Sequence, residues 1–271
     1  MSISGTSASH PLVARMRPVL KMSAEELAAV SAVPHQLLLF SSGELILNAG
    51  ELPAMAYLVL EGFVSTSREV EDGKRQIMFF SIPGDMPTLM SHPDLPLDTD
   101  IQAMSACRLA AFDSRELYGL SLHFPRIGHI FWASALVFAS IHREWIVNVG
   151  HRSAVSRLAH LFCEMAVRLE AYGLAREGSY EMPLNQVDLS DAIGLSRIHM
   201  NRSLQELRRQ NLLTFENGRL TIHDWDRLVD VGHFRPDYLS LSLPIWRTGT
   251  IPAVPARTAT GKTPVRRAIQ I

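Results

Sequence analysis

The chain is poor in cysteine: Cys107 and Cys163 are the only two among 271 residues, and no metal-ligand spacing links them. Two isolated thiols exclude a disulfide-stapled scaffold and fit a reducing compartment. No excess of one charge exists either, since 26 Lys and Arg face 27 Asp and Glu for a formal net charge of −1. A general basic field is therefore ruled out as a basis for nucleic-acid binding, and any such affinity must be built locally. Long apolar runs are missing as well. The most apolar stretch, 127–141, is broken by His129, Ser134 and Ser140 and closed by His142, Arg143 and Glu144. That leaves it short of the roughly 20 residues a membrane-spanning helix needs. Residues 1–21 alternate small, polar and basic types, without the apolar core of a signal peptide. These absences predict a soluble, cytoplasmic chain with no membrane partner. A last absence marks 239–271, which holds no acidic residue and several Pro, Thr and Ala; that composition predicts a disordered tail.

What is present falls into three successive patterns. Between 37 and 112, short β-type runs alternate with turn residues: 56–60, 63–70, 75–81 and 101–112. Asp72-Gly73 supplies a hairpin turn, which needs positive φ, and Pro83-Gly84-Asp85 ends a strand. Strands at this spacing predict a barrel or jelly roll. A short helical pattern at 24–30 precedes them. From 124 the period becomes helical. Ile127, Phe131, Ser134, Phe138, Ile141, Trp145 and Asn148 fall at alternating spacings of four and three and form one face, widened by Ile130 and Val137. A helix this apolar buries more than one side, against its own β domain and against a second copy. A homodimer seam is expected on this face, with Gly150 stopping the helix. Another helix is predicted over 153–172, with Gly173 as its C-terminal cap.

The third pattern is the most informative. Asn185 can cap a helix with Asp188 in its first turn, Gly194 can end it, and Ser196 can cap a second helix running to about Gln210. Two β runs, 212–215 and 219–223, flank Glu216-Asn217-Gly218, a hairpin signal. Helix, tight turn, helix and hairpin make a winged helix-turn-helix. Leu189, Ile193, Leu195, Met200, Leu204 and Leu207 would form its core, leaving Arg197, Ile198, Asn201, Arg202 and Gln205 outward on the second helix, with Arg208 and Arg209 beyond. Arginine binds guanine bidentately through O6 and N7, so this face suits base reading. The expected fold is α+β: a sensory β-roll over 21–123, a dimerisation helix over 124–150, a winged helix-turn-helix over 151–238, and the tail.

Over about 37–231 the chain resembles the cyclic-AMP receptor protein / fumarate-nitrate regulator (CRP/FNR) family. The resemblance rests on Gly43, Gly62, Gly73, the Pro83-Gly84-Asp85 turn, and above all the run from Leu184 through Ser190, Gly194 and Arg197 to Arg208. It implies a homodimer joined along the long helix, a sensing β-roll, double-stranded DNA as partner, and RNA polymerase as partner where the protein activates. The family's base-reading positions fall on Arg197, Ile198 and Arg202; Ser196, His199, Asn201 and Arg209 complete the expected DNA contacts. Departures matter too. Well-studied members carry glutamate where Ile198 stands, and isoleucine can touch a thymine methyl but cannot accept a hydrogen bond from cytosine. Cyclic-nucleotide sensors place an arginine–serine pair on the phosphate, whereas the corresponding loop here carries Asp98 and Asp100 and no arginine. Cyclic AMP is thus not expected as effector. An iron–sulfur cluster needs more thiols than two.

Rival readings have less behind them. Histidines such as His129 and His142 show no ligand spacing, although they could face a haem or metal. Thr260-Gly261-Lys262-Thr263 imitates a phosphate loop but has Ala256 where glycine is required. No serine–histidine–acid set or carboxylate pair has supporting context, so no enzyme is expected. Two alternatives stay open: a sensor of some other small molecule, and a winged domain that binds a protein in place of DNA.

Overall fold

The computed structural model describes residues 10–16, 21–70 and 73–240. Seven antiparallel strands, β1 (Gln36–Phe40), β2 (Leu45–Leu47), β3 (Met55–Glu61), β4 (Val64–Glu69), β5 (Arg75–Ser81), β6 (Asp100–Ala103) and β7 (Cys107–Asp113), form two sheets ordered β1-β7-β3 and β2-β6-β4-β5. The two-residue period of a strand explains how they pack. Tyr57, Val59, Leu109 and Ala111 of the first sheet meet Leu47, Val64, Ile101 and Ala103 of the second in one closed core. Ala56, Leu58, Ala110 and Phe112 point the other way, toward helices. This is the expected β-roll. The tight turn between β4 and β5 keeps Gly73 at φ +67°, while residues 71 and 72 lie outside the described residues.

Helices cover the outer face of the first sheet: α1 (Pro11–Met16), α2 (Ala24–Ala32), α3 (Ser114–His123) and the first half of α4 (Pro125–His151). Helix α1, upstream of residue 21, buries Leu12, Val13 and Met16 there. Asp113 caps α3 by accepting from the amides of Arg115 and Glu116.

Helix α4 corrects the sequence reading in two ways. It runs unbroken for 27 residues, through Gly150 to His151, and by length and composition alone it could cross a membrane. Its apolar side is nevertheless occupied by protein. Of the face assigned above to a second copy, Ile127, Ser134, Phe138, Ile141, Trp145 and Asn148 are buried within their own chain and Phe131 is partly buried. The Phe138 ring centroid lies 4.8 Å from that of Phe79, and Trp145 lies 5.9 Å from Phe80. The apolar residues left outside are Trp132 (61% exposed), Leu136 (47%), Ile146 (68%) and Val147. His142 stacks on Phe79 at 5.5 Å and His129 stands 6.0 Å from Trp132, so both histidines have aromatic neighbours.

Helix α5 (Ala154–Ala171) joins the β-roll to the C-terminal domain. That domain comprises α6 (Gln186–Ile193), α7 (Arg197–Arg209), α8 (Trp225–Gly232) and a sheet ordered β10-β11-β9-β8, from β8 (Ala175–Arg176), β9 (Ser179–Glu181), β10 (Leu213–Glu216) and β11 (Arg219–Ile222). The expected tail lies outside the described residues from 241 onward; Leu239, which ends a 3-10 turn (Pro236–Leu239), is buried.

A buried polar network fixes one domain on the other. Arg168, on α5, is 0% exposed and donates to Asp85 at 2.7 Å, to the Phe80 carbonyl at 2.8 Å and to Glu164 at 3.3 Å. Glu164 also accepts from Trp145 Nε1 at 3.1 Å and from the Tyr238 hydroxyl at 2.8 Å. Burial pushes the pKa of both Asp85 and Glu164 up, against the pull of Arg168. His160 extends the network, 3.1 Å from the Tyr238 hydroxyl. Burial, aided by the charge of Arg152, lowers the His160 pKa to about 3. Glu144 lies 3.6 Å away, but Arg152 already engages it at 2.5 Å. His160 therefore stays neutral when folded and gains its proton near pH 6.5 when unfolded. Its contribution is full above about pH 6.5 and is lost as pH falls below that. His160→Gln should remove this loss. In urea titrations from pH 7 to pH 5, the wild type should lose about 2 kcal/mol more than the variant, from the limiting slope of about 1.4 kcal/mol per pH unit. Parallel profiles would show that His160 titrates normally.

Candidate nucleic-acid interface

The helix-turn-helix forms for local reasons. The Asn185 side chain accepts from the amides of Val187 and Asp188, while the Asp188 carboxylate accepts from the Asn185 amide, closing a capping box on α6. Gly194 ends α6 in the left-handed region, at φ 64° and ψ 42°, where a side chain would be strained. Ser196 caps α7 by accepting from the His199 amide. Ser190 is buried and donates to the Gln186 carbonyl, keeping its side chain small and satisfied in the motif's interior.

Helix α7 is two-sided. Met200, Ser203, Leu204 and Leu207 are buried, while Arg197, Ile198, His199, Asn201, Arg202 and Gln205 are exposed. Of the core residues expected from sequence, only Leu195 is partly exposed. Ile198 is 66% exposed, an unusual outlay of apolar surface on a helix whose other outward residues are polar. Arg197 and Arg202 make no ion pair or side-chain hydrogen bond among the described residues. The two arginines at the far end differ. Arg208 donates to the Phe215 carbonyl and braces the wing. Arg209 is clasped by Glu206 at 2.7 and 2.9 Å, and together with Gln210 it holds the Glu206 carboxyl down to about 2.

The wing is the β10–β11 hairpin, where Asn217 and Gly218 both take positive φ, 52° and 71°, as a tight turn requires. The sequence reading missed β8 and β9, which extend the wing sheet. These strands are two and three residues long, too short to show a period.

The interior of the β-roll is apolar. Between its sheets lie Leu47, Tyr57, Val59, Val64, Ile101 and Leu109, with no cation among the buried residues there. Arg108 is paired with Glu61, and Arg115 with Asp94. Asp100 accepts from the Ala49 amide at 2.8 Å, and Thr88 from the Tyr57 amide at 3.0 Å. A phosphate brought to Asp100 would be repelled by its carboxylate. Outside the roll, a pocket of about 140 Å³ is lined by Met86, Leu89, Leu117, Tyr118 and Phe131 among others, none charged.

Comparison with known proteins agrees with this geometry. Residues 37–123 match the cyclic nucleotide-binding domain, and residues 156–231 match the Crp-like helix-turn-helix domain. The transcriptional activator protein FnrL of Cereibacter sphaeroides is 21% identical over 214 residues, 78% of this chain and 85% of that protein. The nitrogen fixation regulation protein FixK of Bradyrhizobium diazoefficiens is 28% identical over 188 residues, 68% of this chain and 77% of that protein. The structure of FixK2 from Bradyrhizobium japonicum superposes with a TM-score of 0.67 at 22% identity, covering 73% of this chain and 98% of that one. A β-roll, a long helix and a winged helix-turn-helix, in this order and with both domain models matched, make the chain a member of the CRP/FNR family of transcription regulators.

Proposed function

We propose that the protein is a cytoplasmic, homodimeric regulator that reads an operator with α7, in the branch of its family that uses neither cyclic AMP nor an iron–sulfur cluster. The observation that carries this reading is the pair of exposed arginines, Arg197 and Arg202, unpaired among the described residues, on the face of α7 opposite its core. Both forks are open to guanine, and Ile198 between them suits a thymine methyl. Ser196 and His199 sit at the helix N-terminus, where free amides favour phosphate, and Asn201 reaches base or phosphate beside them. Arg209 contacts phosphate by exchanging Glu206 for it. RNA polymerase is the further partner where the protein activates, as FnrL is named to do. The chemistry is recognition, not catalysis.

Selection from randomised DNA tests this. Two recognition helices related by a two-fold axis present themselves about 34 Å apart, so the enriched sequence should be a pseudo-palindrome with half-sites one turn apart. Enrichment of no sequence would favour the alternative in which the winged domain binds a protein.

The seam of the dimer follows from what α4 leaves uncovered. His129, Trp132, Leu136, Ala139, Arg143 and Ile146 recur at alternating spacings of three and four, the pattern of a helix-pairing stripe. Leu136→Asp combined with Ile146→Asp should yield folded monomers by sedimentation, because unpaired charge would be buried in the seam. Phe138→Asp should instead unfold the chain. Folded dimers of the double variant would place the seam elsewhere.

A further inference from the structure

We infer that Arg75, a residue of the β-roll, is a positioning residue for DNA readout, a proposal that rests on the function proposed above. Arg75 opens β5 and reaches across to the first helix of the helix-turn-helix. Its Nη2 donates to Asp188 at 2.9 Å and to Asp191 at 3.2 Å, and its Nε donates to Asp191 at 3.2 Å. Nη1 donates to Gln102 on β6 at 2.7 Å, and Gln102 in turn donates to the Gly43 carbonyl at 2.8 Å. One guanidinium thus has its fork on α6 and its back on the roll.

The carboxylates are well chosen for this task. One oxygen of Asp188 caps α6 through the Asn185 amide while the other accepts from Arg75. Asp191 lies one turn further along the same side. The next residue of β5, Gln76, donates to the Ala192 carbonyl at 3.2 Å in the last turn of α6. Two adjacent residues of one strand therefore grip α6 near both ends, and α6 carries the turn that aims α7. Beside the grip lies a cleft of about 470 Å³, lined by Ser42, Gln102, Asn185 and Arg75 among others. The domains leave this cleft open beside the bridge. Charge-assisted bonds at partly buried groups are stronger than exposed ion pairs, so losing this bridge loosens α6 on the roll even while Arg168 holds α5 in place. In a dimer held elsewhere, that loosening changes the distance between recognition helices, not the bases each one reads.

The test separates these effects. Arg75→Ala should bind the wild-type operator about tenfold more weakly, a typical size for coupling between sites. In DNA selection it should accept a wider range of half-site spacings while keeping the same base preferences within each half-site. Asp191→Ala should produce a smaller change of the same kind, since Asp188 still accepts from Arg75, and the double variant should be no worse than Arg75→Ala alone, as a shared contact requires. Unchanged spacing, or additive losses, would overturn the proposal. Should the wild type enrich no DNA, the proposed function fails, and the positioning claim is read without DNA. Cysteines placed at exposed Leu39 and Gln205 take spin labels, since Cys107 and Cys163 are buried. Arg75→Ala should broaden the distance distribution between them; an unaltered width would overturn the claim.

Discussion

Arg202→Ala should abolish useful operator recognition. Each half-site loses a guanidinium fork worth about 1–3 kcal/mol of discrimination. A symmetric dimer loses it twice, so affinity should fall by about 2–6 kcal/mol, from about thirtyfold to more than about ten-thousandfold. The loss should fall on one base position per half-site, because Arg202 is exposed and has no ion-pair or hydrogen-bond partner for its side chain among the described residues. Arg209→Ala supplies the contrast. A phosphate contact weakens all sequences alike and flattens the salt dependence. Titrations of the selected operator and a scrambled one, over a range of salt, distinguish the two patterns. An Arg202→Ala protein that keeps wild-type affinity and preference would remove α7 from the reading role.

Arg168→Ala should cost about 3–5 kcal/mol of stability, the usual penalty for breaking a fully buried ion pair. Asp85 and Glu164, 1% and 0% exposed, would be left facing each other's domain without their cation. A domain of this kind holds only about 5–15 kcal/mol in all, so the variant should unfold at much lower urea. Restoring neutrality should recover much of the loss. The triple change Arg168→Met, Asp85→Asn and Glu164→Gln removes the charges together, and such replacements are often neutral or better. A loss below about 1 kcal/mol for Arg168→Ala would mean that water reaches the site and relieves it.

Much of this architecture is legible in the sequence because its signals are local. The capping residues Asn185, Asp188 and Ser196, the left-handed Gly194 and the Asn217-Gly218 turn each act within a few residues, and each stands where expected. So does the outward set Arg197, Ile198 and Arg202. What was misread is long-range. Helix α4 carries two stripes of apolar residues, and a single period of three to four fits both. Periodicity identifies a face but not its occupant. The aromatic side, Phe138 and Trp145, meets Phe79, Phe80 and Glu164 from elements far away in the chain, and no pattern within 127–148 could report that. The same holds for the site's supports. Arg75 and Asp191 are 116 residues apart, and Arg168 and Asp85 are 83 apart. Their pairing exists only once the β-roll and α5 have met.

The division of α7 into a packed side and an open side bears on how such a protein can change over generations. Substitutions at Met200, Leu204 or Leu207 open cavities and cost about 2–5 kcal/mol each. Those at Arg197, Ile198, Asn201, Arg202 or Gln205 touch no packing and lie within about 0.5 kcal/mol of neutral for folding. On the proposed reading of the operator by α7, its preference can therefore drift one residue at a time without passing through an unstable intermediate. Ile198 illustrates that freedom: an apolar side chain, exposed on the outer face, of which the fold asks no packing.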